Sequence, residues 1–431
     1  MTTDPMASTF VKPDPIVDVE SFAEVSEAWR CPAMSSELTG PGDEYYHLGT
    51  VMRLDGPLHV ARRRSLGQLL KKRGHKYFRD TWLLPTADSA LAEVLDAPES
   101  SDGLIRVDLL AWARLVNQRL AAAITGFDEA TTSEGAQVLF DLVETLMFGR
   151  PSAIAVVMGE FDTTTEAAQQ GIAARDEIID RFYKPSIARR KALVEQVKAG
   201  ELSHEELPQD LLTLIALESD PAWSDPEVAQ REAIFLLSAG VHTTSSTMIW
   251  TLREIFQWVA DHPGRLADIV EEEFLLRAGE EAMRLHPVVP GFARVATETI
   301  DLNQGTQVPE GALAVLRSGP ASVDEAVYGP DALTFDPDRV VPPSVNRYGF
   351  AFGAGPHMCY GMPIVMGTEG SDGSLVHLLK RVLRVGARPD PDFPVPGPPL
   401  EATRGIHSGS RADQYRVTFP GRAAQKEMGA R

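Results

Sequence analysis

Cys359 is one of two cysteines in the chain, and it sits in a loop, Phe352-Gly-Ala-Gly-Pro-His-Met-Cys-Tyr-Gly361, built from glycines, a proline and aromatic rings. A thiolate that ligates a metal needs backbone N–H groups near its sulfur to stabilise the charge, and room for a flat cofactor to approach the main chain. Gly353, Gly355 and Gly361 lack a Cβ, so they allow close approach and turns with positive φ. Phe352 can cover the sulfur side and exclude water. An arbitrary cysteine in a turn is more often a buried free thiol, and that reading competes here. A phosphate-cradling glycine loop is discarded, because no lysine follows the glycines.

Regular structure has to carry such a loop and whatever faces it. Asp225 is a fit N-cap with Pro226 at the first helical position, and the helical pattern runs to about Ala260, where Asp261-His-Pro ends it. About 35 residues at ~1.5 Å each give a helix of about 50 Å, enough to cross a whole domain. Its middle reads Ala239-Gly-Val-His-Thr-Thr244. Gly240 allows a flat ring to come close, and mid-helix threonines offer side-chain bonds that compete with the helical ladder. Small residues packing a buried helix would leave the same letters. His59 and Arg63, on a helix opened by Asp55-Gly-Pro, stand four apart on one face, for which a solvated basic face is the ordinary explanation. Glu281 and Arg284, three apart, are by themselves a surface pair of little worth.

Other helical patterns cover residues 17–30, ending before Cys31-Pro32, and residues 88–95, 107–125, 134–147, 271–285 and 375–385, with more within 161–199. Residues 34–56 read as loop. Alternating stretches over 298–316, around a Pro309-Glu-Gly311 turn, read as a small β-sheet, and 404–418 as a hairpin with Ile406 and His407 at its tip. Gly367, Gly370 and Gly373 interrupt the helix that would follow the cysteine loop, so a break or inserted turn is expected there. The fold class is mainly α with a small β-rich part. Residues 1–16 read as a flexible tail and 17–431 as one domain.

Composition narrows the function. A formal charge of −20 argues against nucleic acid or an anionic membrane as partner. No run of about 18 apolar residues occurs, and the polar first twenty residues resemble neither a signal peptide nor an anchor. Two cysteines suggest no disulfide framework, and a reducing cytoplasm fits.

Phe-Gly-x-Gly-x-His-x-Cys-x-Gly, with every fixed position filled, resembles the haem-binding signature of the cytochrome P450 family, and the similarity extends from about Val17 to Phe419. The resemblance implies a P450-like fold and haem b (iron protoporphyrin IX) ligated by the Cys359 thiolate, with Phe352 and Gly361 beside it. It implies that His59, Arg63, Arg294 and His357 neutralise the haem propionates. It implies a dioxygen groove at Gly240, where an acid followed by threonine delivers protons. Thr243 takes the threonine position, but His242 stands at the acid's. An imidazole can relay protons near neutrality, or it can contact the ligand while water or substrate does the relaying. Glu281 and Arg284 become a buried Glu-x-x-Arg element joined by Arg339, with a structural role. Tyr45, Tyr46, Leu48, the loop 288–292, a lid over 175–198 and the 406–407 tip are expected to border the substrate. The family usually has an additional helix and strands before the segment beginning near Val17, so either a more open distal pocket or an incomplete start is expected.

The activity so implied is that of a haem-thiolate monooxygenase, which inserts one oxygen atom of O2 into a small apolar organic substrate. Electrons come from a separate ferredoxin or flavodoxin with its NAD(P)H-dependent reductase. A peroxygenase or other atypical haem-thiolate enzyme, and a non-catalytic haem-binding protein, are the alternatives.

Overall fold

The computed structural model describes residues 12–70, 72–368, 371–393, 414–422 and 425. The chain begins with β1 (Ile16–Val19), α1 (Phe22–Ala28), β2 (Met34–Ser35), α2 (Asp43–Tyr46), α3 (Gly56–Leu66), α4 (Lys72–Phe78), α5 (Leu84–Leu95) and β3 (Leu104–Asp108). A helical stretch follows, with α6 (Leu109–Thr125), α7 (Ser133–Gly149), α8 (Ala153–Val157), α9 (Glu166–Ile178), α10 (Lys184–Lys198), α11 (Leu211–Ala216), α12 (Pro226–Asp261) and α13 (Glu272–Leu285). Then come β4 (Gly291–Ala296), β5 (Ile300–Asp301), β6 (Gln307–Val308), β7 (Leu313–Arg317), α14 (Ser318–Ser322) and α15 (Glu325–Tyr328). Last are α16 (Met362–Met366), β8 (Gly367–Thr368), β9 (Ser371–Asp372), α17 (Ser374–Arg384), β10 (Arg388–Pro389) and β11 (Arg416–Pro420). None of the described helices is long and apolar enough to cross a membrane.

The long helix forms as its caps dictate. Asp225 accepts the Glu227 N–H, Pro226 opens the first turn, and 36 residues follow. Its two halves serve different cores. Met248, Ile249, Leu252 and Ile255 pack with α5, α6, α13 and α17, whereas Ile234, Leu237 and Val241 pack with α7, α9 and α11. α9 and α10 form one continuous rod through a π-helical turn at Ile179–Tyr183, and a second such turn at Arg79–Leu83 leads into α5. Both are followed directly by a proline one residue inside the next helix, Pro85 and Pro185. A ring without an N–H that crowds the preceding turn is relieved by this widening.

The principal sheet has the order β1-β7-β4-β2, with β1 parallel to β7 and the other pairs antiparallel. This amends the sequence reading in two places. Residues 16–19 form a strand rather than the start of a helix or the end of a tail, and α1 begins only at Phe22, capped by Ser21. Two of the four strands therefore come from before residue 36, where none was expected. Val107 and Asp108 likewise belong to β3, which pairs with β11, and helix starts at Leu109. The break after the cysteine loop is present: α16 lasts five residues before the β8-β9 pair intervenes and α17 resumes.

Glu281 on α13 ties the β-rich part to the helices. Its carboxylate accepts two bonds from Arg284 (2.6 and 2.8 Å) and one from Arg339 (2.9 Å), all three side chains being buried. The guanidinium groups spend their remaining donors on carbonyls of Ser322, Tyr328, Asp331, Ala332 and Thr334. Removing this charge leaves the buried Arg284 without a carboxylate and Arg339 with only the exposed Asp331, 3.0 Å away. E281Q should lower the unfolding free energy by about 3 to 5 kcal/mol, read from the midpoint of denaturant unfolding.

His47 supplies a second check on stability. It is buried against Phe235 of α12, and Arg150 lies 3.4 Å from its Nε2. Burial pushes its pKa down to about 4, the Arg150 and Arg53 charges acting the same way against the Asp43 carboxylate. An unfolded histidine takes up a proton near pH 6.5, so below that the unfolded state binds more protons and gains. Stability should fall as pH drops from 6.5 towards 4, by at most about 3 kcal/mol from this residue, and H47Q should flatten that part of the unfolding profile.

Candidate active site

The cysteine loop is held from within and from behind. The Cys359 N–H donates to the Phe352 carbonyl (2.8 Å), and the Phe352 ring is buried edge-on against Tyr348. Gly353 and Gly355 adopt φ of +66° and +63°. Any Cβ at Gly353 would lie 2.9 Å from the Trp29 ring, and at Gly355 2.6 Å from the Trp29 carbonyl oxygen. These two glycines therefore make room for the end of α1, not for a ligand. Gly361 is different: a Cβ there would meet nothing nearer than the Cys359 Sγ, at 3.9 Å. Open space adjoins the sulfur on that side.

The thiol itself combines two properties seldom found together. Burial pushes its pKa up, while the N–H groups of Gly361 and Met362 and the Arg63 charge pull it down. Yet Cys359 is exposed. Enclosure by protein and accessibility are compatible only if the sulfur faces an opening in the interior, and an apolar void would not need two N–H groups aimed at a thiol. The site thus suits a ligated thiolate better than a buried free cysteine.

Around this loop lie the four cationic candidates. His59 and His357 stack face to face, with ring centroids 4.0 Å apart. His357 Nε2 lies 2.8 Å from Asp55 Oδ1 and 3.2 Å from Ser36 Oγ, so the residue that opens α3 also fixes the imidazole two residues before the cysteine. Arg63 donates to the Met358 carbonyl (2.9 Å) and lies over the Tyr360 ring, whose hydroxyl donates back to the Arg63 carbonyl. Arg294, buried on β4, lies over the Trp29 ring, and among the described residues its one hydrogen bond goes to the Ala293 carbonyl (2.7 Å). Burial holds its pKa down to about 10, partly offset by Asp55. The His59 pKa falls to about 4 through burial and the charges of His357, Arg63 and Arg294. His59 and Arg294 are buried and Arg63 and His357 half-buried, and among the described residues Asp55 is the carboxylate that bonds to the set. Two guanidinium groups beside two imidazoles able to take up protons suit an anion, and the two carboxylates of a haem meet that need.

Midway along α12 the helix opens onto space. Ala239 is exposed and Gly240 and Thr243 are half-buried, between the fully buried Leu237 and Ser245. The Thr243 hydroxyl donates to the Ala239 carbonyl (2.7 Å), the competing bond that its position predicts. Gly240 carries its absent Cβ towards Ala121 of α6, 3.7 Å away, so helix packing accounts for it and the open side belongs to Ala239 and Thr243. His242, the residue before Thr243, does not share that exposure. Its imidazole is buried, with Nε2 3.0 Å from Glu144 Oε1 on α7.

Sequence reasoning missed Asp55, Trp29 and Glu144 as parts of the site. Asp55 was legible only as a helix opener. Nothing in the sequence links Glu144 to a histidine 98 positions later. The expected tip at Ile406 and His407 lies outside the described residues.

The Cytochrome P450 family profile matches residues 160–367. A cytochrome P450 monooxygenase of Penicillium aethiopicum, gsfF, is 27% identical over 275 residues, which are 56% of this chain and 53% of that protein. Geraniol 8-hydroxylase of Swertia mussotii is 28% identical over 54% of this chain and 50% of its own. The chain thus spans about half the length of these curated relatives. Substrate-free CYP109E1 of Bacillus megaterium superposes with a TM-score of 0.67 over 96% of both chains at 18% identity. A mutant of P450 EryK in complex with erythromycin B gives 0.62 over 94% of this chain and 90% of that one, at 20% identity. At such identities the likeness is one of fold.

An anion bound among the four cationic groups should depend most on Arg294, the most deeply buried guanidinium of the set. Replacement by methionine keeps volume and removes the charge-assisted bond. R294M should speed the loss of haem to an excess of an apoglobin scavenger by about 10- to 100-fold.

Proposed function

We propose that this chain, whose family match covers residues 160–367 and whose fold is that of solved P450 structures, works as a member of the cytochrome P450 family. It is a haem-thiolate monooxygenase that inserts one oxygen atom of O2 into a small apolar organic substrate. A haem held through a cysteine thiolate supplies the oxidising chemistry when bound, because the thiolate pushes electron density that favours O–O cleavage. The observation that carries the reading is the exposed Cys359 sulfur in its tightly turned loop, with open space beside it at Gly361, where a Cβ would meet nothing nearer than the sulfur at 3.9 Å.

The chain's own residues divide the remaining tasks. Cys359 would hold the iron, and the Gly361 and Met362 N–H groups, with the Arg63 charge, offset part of the cost of charge on its buried sulfur. Arg63, Arg294, His59 and His357 hold the propionates. Phe352 closes the protein side of the sulfur to water. Thr243 offers its hydroxyl on the open face of α12, where the substrate and O2 enter. Two electrons and two protons are consumed per oxygen atom inserted. The electrons come from a ferredoxin or flavodoxin with its NAD(P)H-dependent reductase, and the proposal sets this exchange in the cytoplasm, where free thiols such as Cys31 and Cys359 persist.

One observation favours a second reading. A histidine in place of the acid at position 242 would suit a peroxygenase, which takes its oxygen, electrons and protons together from hydrogen peroxide. The two readings separate in one assay. Product formed with a surrogate ferredoxin, its reductase and O2 supports the monooxygenase, and product formed only with peroxide supports the alternative. Ligands that shift the Soret band identify the compounds to use. C359S should abolish the red-shifted absorption of the ferrous carbonyl form, and its persistence would remove Cys359 as the ligand.

A further inference from the structure

We propose that Glu144 on α7, acting through His242, is the solvent-side terminus of the proton path that serves the open face of α12. The inference rests on the monooxygenase reading, and it assigns to a second helix the acidic function that α12 itself lacks.

Three features converge. First, His242 Nε2 lies 3.0 Å from Glu144 Oε1, although the imidazole belongs to the middle of a long helix and is almost fully enclosed. Second, the two ends of this pair differ in access to water. The Glu144 side chain is 33% exposed and that of His242 7%, so a proton reaching Glu144 from bulk is one contact away from a buried ring. Third, neither ring nitrogen of His242 makes a well-aligned hydrogen bond among the described residues: Nε2 has only its 3.0 Å contact with Glu144, and Nδ1 has no such contact. A buried ring nitrogen left without a partner costs free energy unless something is bound there. Its neighbour in sequence, Thr243, stands on the side of the helix that opens onto space. An ordered water between Nδ1 and that opening would satisfy the nitrogen and continue the path.

The groups packed about the imidazole bear this out. From α6, Arg114 donates to the other Glu144 oxygen (3.2 Å), holding the carboxylate in place. Also from α6, Asn117 bonds the Ser245 hydroxyl (3.1 Å), so the neighbouring polar groups of α12 are already committed and do not compete for the ring. Arg114, Glu144 and His242 thus join three helices at one point. In each passage Glu144 takes a proton from solvent and gives it to Nε2 while Nδ1 releases its own, which leaves the imidazole in the other neutral tautomer; a half-turn of the ring, or return of the proton from Nε2 to Nδ1 through water, restores the starting tautomer before the next passage. With haem bound, insertion of one oxygen atom of O2 would take up two protons and two electrons and release the other atom as water; two such passages with the reset between them would supply the protons, and the reductase the electrons. An imidazole can donate at one nitrogen while accepting at the other, which a carboxylate on α12 would not need a partner to do.

The test needs no knowledge of the substrate. Haem-loaded protein is driven by a plant-type ferredoxin, its reductase and NADPH, and hydrogen peroxide released per NADPH consumed is measured. When protons arrive late, reducing equivalents leak as peroxide. E144Q and H242A should each slow non-leaking turnover about tenfold or more and raise the peroxide fraction, with the double variant no worse than either alone. E144D, which keeps the charge, should recover part of the loss. Independently of turnover, the ring-nitrogen resonances of His242 in the 15N-histidine-labelled ferrous carbonyl form should shift in E144Q. An unaltered peroxide fraction in E144Q, additive losses in the double variant, or unmoved His242 resonances would each overturn the relay and leave the monooxygenase reading standing. A wild-type protein that consumes no NADPH with oxygen would overturn the monooxygenase reading, and the NMR comparison would still decide whether Glu144 governs His242.

Discussion

A sulfur that must be enclosed by protein and still left bare on one side makes opposite demands on the chain around it. Enclosure requires several elements to converge on Cys359, and bareness forbids any of them from filling the space they surround. The loop meets the first demand by turning on itself, Cys359 N–H to Phe352 carbonyl, and by leaning on Trp29 through two glycines that no larger residue could replace. It meets the second at Gly361, the position where a side chain would enter the space beside the sulfur. The rigidity to hold both comes from outside the loop. Glu281 binds two arginines that between them grip five carbonyls from Ser322 to Thr334, and Arg339 in turn sits on the segment that leads into the loop.

Electrostatics follows the same division. With 61 acidic and 41 basic residues the molecule is strongly anionic, yet two guanidinium groups and two imidazoles gather beside the cysteine loop, where Asp55 is, among the described residues, the carboxylate that bonds to the set. Burial first, and then the charges of His357, Arg63 and Arg294, drive the His59 pKa down to about 4. The part due to those charges is a local cost that only an anion removes, and folding alone does not remove it. The contrast with the Arg190 network is instructive. There Arg190 meets Asp128 and Asp210 and its pKa is raised, as expected of charges balanced by folding itself. Unbalanced charge marks a binding site and balanced charge marks a joint.

Local features of the site were legible in the sequence, and features made by long-range pairing were not. The caps and length of α12, the Glu281–Arg284–Arg339 triad and the break after Gly361 all follow from residues close together or from a motif with fixed spacing. β1 was missed because Ile-Val-Asp-Val is four residues long and its partner, β7, lies about 300 residues further on. The glycines of the loop were assigned the wrong neighbour for the same reason. Their backbone geometry is a local matter, but the identity of what they accommodate, Trp29, is decided by where α1 docks. Gly240 was likewise read as facing a ring, when the register of α12 against α6 turns it towards Ala121.

His242 shows how a departure from a pattern acquires meaning only once the fold is known. On the sequence it is an imidazole where an acid is expected, and two roles remain open. In the structure the acid is present but carried by α7, with Arg114 of α6 steadying it. α7 packs against α9, and the rod of α9 and α10 is anchored by Arg189 and Arg190 of α10 to Asp128 and Glu129 in the turn that follows α6. The position of Glu144 is therefore set by α7 and by what packs on it, whereas an acid on α12 would be fixed by α12 alone. The proposed relay spans two helices, and its 3.0 Å contact exists only in the register that α7 and α12 hold here.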